Sequence, residues 1–233
     1  MDMTAKQTGY MPDLSKIRLD AFGNELKTGR LLPSRRPLLE DIDARLALLE
    51  KEGLTDAGAL KEALSSHPKI KQLAQKTGIP EDYLTLLKRE VNNLSPTPVK
   101  FSDIPNISAA TVKKLNDLNI NSTEDLFPYI KDTNSRKKFE LKSGFSTEEI
   151  LWLTRLVDVS RIKWVGPKLA GLIVDTKYDT VEKLALADPA DLLNAFNEAK
   201  KIHKAYQGAL GINDIDSWIR QVVKKTPLVI EYK

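Results

Sequence analysis

Cysteine is missing from the chain, which removes disulfides, thiol nucleophiles and thiolate metal sites together and leaves the compartment open. Histidine is nearly so. The two present, His67 and His203, are far apart in sequence and carry no HExxH or similar spacing, so no local motif marks a histidine metal site or a Ser-His-Asp triad. Neither GxxxxGK[ST] nor GxGxxG occurs. Acid pairs such as Asp41 with Asp43 and Asp188 with Asp191 lack a partner motif and read as charged helix starts. The expectation is a protein that is not an enzyme and uses no cofactor or metal. Long apolar runs are also lacking: no window approaches the roughly 18 apolar residues needed to span a bilayer, and the start MDMTAKQTGYMPDLSK has no apolar core resembling a signal peptide. A cytoplasmic location without membrane association is expected.

What is there is an ordinary globular balance, 233 residues with 41% hydrophobic and 29% charged, enough for one or two cores. The net charge of +4 allows an acidic partner but lacks the dense basic clustering of a dedicated nucleic-acid binder. The basic stretches are SRKKFELK, residues 135–142, and the pair Lys113 and Lys114. Such runs read either as solvated helix faces or as patches that converge on one surface.

The chain repeats itself. A shift of 66 residues pairs Leu49 with Leu115, Leu60 with Leu126, Gly78 with Gly144, Leu87 with Leu153, Arg89 with Arg155 and Val91 with Val157 in one ungapped register, the mark of duplicated units. A third copy follows at a shift of 58, pairing Ile104 with Ile162, Asp117 with Asp175 and Leu126 with Leu184, and the shift returns to 66 at Trp152 and Trp218. The third copy therefore carries extra residues near NEAKKIHKAYQG. Apolar residues recur at three and four, as in Leu38, Ile42, Leu46 and Leu49, and strand-like alternation is nearly absent. Helix starts are marked by Ser122 and Thr123 before Glu124 and Asp125, by Ser146 and Thr147 before Glu148 and Glu149, and by Pro80 before Glu81 and Asp82.

The expected fold class is all-α, with tandem helical repeats. Residues 1–30 lack clear periodicity and read as an N-terminal extension; residues 31–94 form a divergent first repeat, 100–160 a second and 161–226 a third. The tail PLVIEYK, residues 227–233, holds the one strand-like run. LSPTPVK, residues 94–100, is the best candidate linker, because its two prolines make it extended and stiff. Trp152 and Trp218 are expected in the core.

Residues 161–173, RIKWVGPKLAGLI, place Ile162 and Val165 before a tight turn and Ala170 and Ile173 on the following helix. This resembles the helix-hairpin-helix motif, in which a Gly-apolar-Gly turn presents backbone N–H groups to a DNA phosphate. The resemblance implies non-sequence-specific binding of double-stranded DNA, with Lys163, Gly166 and Lys168 as candidate contacts. The second repeat has IPNISAATVKKL, residues 104–115, with Asn106 and Ser108 where glycines would stand and Lys113 and Lys114 behind; these four are candidates too. The first repeat has Glu40 and Asp41 at this place, which would repel phosphate. In the third, Trp164 replaces the first glycine, where a side chain crowds the approach. The alternative for VGP is a helix junction in which Gly166 permits the bend and Pro167 starts the helix. On that reading the repeats form a scaffold for a protein partner. A hairpin turn followed by NINSTEDL or KYDTVEKL, then a helix pair reaching Trp152 or Trp218, also resembles the bacterial domain of unknown function 4332 family over roughly residues 100–225. That resemblance implies an all-helical fold and a nucleic-acid role, and brings no reaction with it.

Overall fold

The structure is a computed structural model that describes residues 9–29, 31–202, 204–206 and 208–232. It divides into two compact units, residues 12–95 and, among the described residues, 9–11 together with 96–232. The division after Ser95 falls inside LSPTPVK. Each unit has its own apolar core.

The smaller unit holds α1 (Leu19–Thr28), α2 (Ile42–Lys51), α3 (Ala57–Ala63), α4 (His67–Thr77) and α5 (Glu81–Asn92). Residues 12–29 of the N-terminal extension belong to this unit: α1 buries Leu19, Phe22 and Leu26 in its core. Their spacing of three and four is helical; a single ten-residue helix is too short for its periodicity to stand out in the sequence. The larger unit holds α6 (Ala109–Asp117), α7 (Thr123–Ile130), α8 (Thr133–Ser143), α9 (Thr147–Ser160), α10 (Pro167–Val174), α11 (Val181–Ala185), α12 (Pro189–Ile202) and α13 (Ile212–Gln221). No strand occurs among the described residues, which show only two isolated backbone bridges. The protein is all-α.

The helices recur in groups of four, α2 to α5, α6 to α9 and α10 to α13, and the local chemistry recurs with them. Leu60, Leu126 and Leu184, on α3, α7 and α11, are all fully buried. Each of these helices is capped by a side chain that accepts the N–H three residues on, from Asp56, Ser122 and Thr180. Helices α4 and α8 both end on a left-handed glycine, Gly78 at φ 74° and Gly144 at φ 65°, where a side chain would be strained. After α2 and α6, Leu54 N–H reaches Leu49 C=O and Ile120 N–H reaches Leu115 C=O, each at 3.1 Å or less. One sequence pattern thus satisfies the same backbone groups in successive copies. The second and third repeats share a single core.

The first residue of α3 and that of α7 each donate their N–H to an extended segment upstream, Ala57 to Ile17 C=O at 2.8 Å and Thr123 to Val99 C=O at 2.9 Å. The third copy has no such segment, because the chain enters it from helix α9. Val181 N–H goes instead to the Asp158 carboxylate on α9, at 3.0 Å. That carboxylate is 3% exposed and also receives Arg161 at 3.1 Å and the Tyr232 hydroxyl at 3.2 Å. Burial pushes the Asp158 carboxyl above its ordinary value, against the pull of Val181 N–H and Arg161, and burial pushes the Arg161 guanidinium down. The tail completes the cluster: Pro227 C=O accepts from Arg161 at 2.8 Å, and Glu231 N–H reaches Lys131 C=O. Residues 227–232 form no helix or strand. At the other end Tyr10 is buried, its ring edge-on to Phe127 and its hydroxyl 2.7 Å from Thr123 Oγ1.

Candidate nucleic-acid interface

The turn between α9 and α10 spans residues 162–165 and is closed by Val165 N–H on Ile162 C=O at 3.1 Å. Ile162 and Val165 are buried in the core. Trp218 Nε1–H donates to Lys163 C=O at 3.4 Å, so α13 holds the turn from outside. Trp164, at the third position, has φ 72°, the left-handed conformation for which such turns use glycine or asparagine. Gly166 has φ −86° and ψ 178°, ordinary extended backbone, and a Cβ there would meet nothing within 4 Å. Hence the bend is made by Trp164, and the glycine supplies no conformational freedom that the turn requires. Trp164 is 64% exposed, with the Lys163 ammonium 5.1 Å from its ring centroid.

Helix α10 starts at Pro167 with Gly166 as its N-cap and without a capping side chain. Gly166 C=O receives Ala170 N–H at 2.9 Å. Among the described residues the N–H groups of Gly166, Lys168 and Leu169 have no acceptor, as expected at an uncapped N-terminus, and Pro167 has none to donate. Beside this end lies a cleft of about 210 Å³ lined by Lys168, Asn106, Gly171, Leu172, Lys204 and Tyr206. Burial raises the Tyr206 phenol above its usual range. Lys204 and Tyr206 come from the extra residues of the third copy, which lengthen α12 and the segment before α13. Nothing in the local sequence places them near Lys168.

The matching turn of the second repeat, closed by Ile107 N–H on Ile104 C=O at 3.4 Å, is built for packing. Asn106 stands where Trp164 stands in the third copy, yet its side chain turns inward. Its Nδ2 donates to Gly171 C=O at 3.0 Å and to the Asp175 carboxylate at 2.6 Å. Gly171 makes room for it: a Cβ there would lie 2.4 Å from Asn106 Oδ1. Ser108 caps α6, accepting Thr111 N–H at 3.0 Å. Lys113 pairs with Asp117 at 2.7 Å. Lys114 donates to Gly144 C=O at 2.6 Å and lies over the Phe145 ring. The candidate residues Asn106, Ser108, Lys113 and Lys114 are therefore engaged within the chain, while Gly166 and Lys168 stand at the uncapped start of α10 and Lys163 in the turn before it. In the SRKKFELK run Arg136 is buried and donates to Ile130 C=O, and only part of the run faces solvent.

Other residues singled out in the sequence have structural roles. Asp43 pairs with Lys27 at 2.8 Å, and Asp188 accepts the N–H groups of Ala190 and Asp191 at the start of α12. Asp41 is the left-handed N-cap of α2. Exposed His67 begins α4, and His203 lies outside the described residues. Trp152 and Trp218 are half-buried at the edge of the core. No group of three potential metal ligands occurs among the described residues, and none of their helices is long and apolar enough to cross a membrane.

These repeated four-helix groups define a helical protein in which one hairpin turn is left open. The model of the family described as Domain of unknown function (DUF4332) matches residues 105–225, and the chain belongs to that family. The match begins in the turn of the second repeat and ends after α13, so it covers the two repeats that share a core. No curated protein and no solved structure matches.

Proposed function

We propose that this is a non-catalytic, cytoplasmic module that binds DNA through the turn at residues 162–168, without reading sequence. The observation that carries the reading is the open start of α10, where the N–H groups of Gly166, Lys168 and Leu169 lack acceptors among the described residues and Lys168 stands on the same turn of helix. Such a terminus favours a phosphate through its N–H groups and the helix dipole. A phosphate is common to every nucleotide, so the contact fixes position and not sequence. The helix-hairpin-helix resemblance supports the reading. The engaged state of Asn106, Ser108 and Lys114 confines it to one turn and favours the scaffold alternative for the second repeat, where the hairpin sets helix packing.

Fluorescence anisotropy with random-sequence DNA tests this. Binding through about two phosphates should weaken roughly tenfold between about 50 and 200 mM salt. Lys168→Glu should weaken it by about 1–3 kcal/mol, roughly 5- to 150-fold, with helicity unchanged. If DNA fails to bind at low salt, or Lys168→Glu binds as wild type, the turn is a junction in a protein-binding scaffold.

A further inference from the structure

We infer that Trp164 is a stacking surface for an unpaired base, so that the ligand of this turn is single-stranded DNA. The inference rests on the phosphate reading above and narrows its substrate. Trp164 combines two unfavourable properties, a left-handed backbone at φ 72° and an indole that is 64% exposed. Glycine would relieve the first and a polar residue the second. A strained residue persists when its surroundings hold it, and here Ile162 and Val165 are buried on either side while Trp218 fixes Lys163 C=O.

The hairpin does not itself demand this conformation. Its counterpart closes between Ile104 and Ile107 with Asn106 in the same place, and Asn106 is not left-handed. Asn106 turns in to bond α10, while Trp164 is presented outward. Of the two copies that share a core, only the third carries this strain, and its next helix is the one without a capping side chain. Only Val165 lies between Trp164 and Gly166, so a nucleotide stacked on the indole has its backbone beside the N–H groups at the start of α10 and Lys168. The Lys163 ammonium lies over one face of the ring, 5.1 Å from its centroid, so the base would stack on the opposite face. An aromatic face beside a positively charged backbone track is how single strands are held, because every base has a face to stack. Paired bases in a duplex are already stacked on each other and offer the indole no face within the helix.

The test is anisotropy of the full chain with labelled oligothymidine of about 20 nucleotides and with a duplex of equal length, at low salt. Wild type should bind the single strand at least about tenfold tighter. Trp164→Ala should lose roughly 5- to 150-fold on the single strand and less than about twofold on the duplex, Trp164→Phe should retain most of the affinity, and Lys168→Glu should weaken both. Circular dichroism checks that each variant is folded. Unchanged single-strand affinity in Trp164→Ala overturns stacking, and the phosphate reading stands if Lys168→Glu is still weakened. Equal losses on both ligands would make the indole a wedge in duplex DNA and also overturn the inference. Binding to neither ligand defeats both readings.

Discussion

Gly171→Ala should destabilise the protein although it replaces glycine inside a helix, and Asn106 is the reason. In an unobstructed helix this change gains about 1 kcal/mol, since alanine loses less backbone freedom. Here the new Cβ would lie 2.4 Å from Asn106 Oδ1 and 3.2 Å from its Cγ. The amide must move, and its bonds to Gly171 C=O and Asp175 are lost. Two such bonds are worth about 1–2 kcal/mol together, with the exposed Asp175 contact discounted for screening. Forcing a side chain out of a fitted site adds about 1–3 kcal/mol. After the helix gain, the net loss is about 1–4 kcal/mol. For a unit of this size that lowers Tm by roughly 2–16 °C. Asn106→Ala alone should cost about 1–2 kcal/mol; with the clash removed, adding Gly171→Ala to it should restore up to about 1 kcal/mol. Thermal and urea denaturation of the four proteins form a double-mutant cycle. A stabilising Gly171→Ala in the wild-type background, or equal effects in both backgrounds, would refute the claim that Asn106 seats on α10.

Asp158→Ala should cost about 3–5 kcal/mol in denaturation, because it strands the buried Arg161 charge and the Val181 N–H; Tyr232→Phe removes one hydroxyl from the same carboxylate and should cost about 0.5–1.5 kcal/mol. Similar small losses for both would mean that water reaches the cluster. Trp164→Gly should raise stability by about 1 kcal/mol by relieving the left-handed residue. A fall of several degrees in Tm instead would show that the indole contributes packing to the body.

Most of the helices, their repetition and several of their caps are legible in local sequence. Apolar spacing of three and four fixes the buried face of a helix from its own residues, and the 66-residue register carried Leu60, Gly78 and Leu87 onto the equivalent Leu126, Gly144 and Leu153. Caps such as Ser122 and Ser146 were legible because a cap bonds within three residues. Helix α1 was not, since its partners lie in α2 and the packing of one short helix leaves a weak signal. Asn106 and Trp164 occupy the same place in two copies of one turn, and sequence treated both as lost glycines. Only the tertiary structure separated them, because the direction of each side chain depends on a contact 65 residues away for Asn106 and 55 residues away for the turn that bears Trp164. It also brought Lys204 beside Lys168 and the tail's Tyr232 to Asp158. Local spacing records what a helix does to itself; which turn closes and which stays open is decided by the elements folded against it.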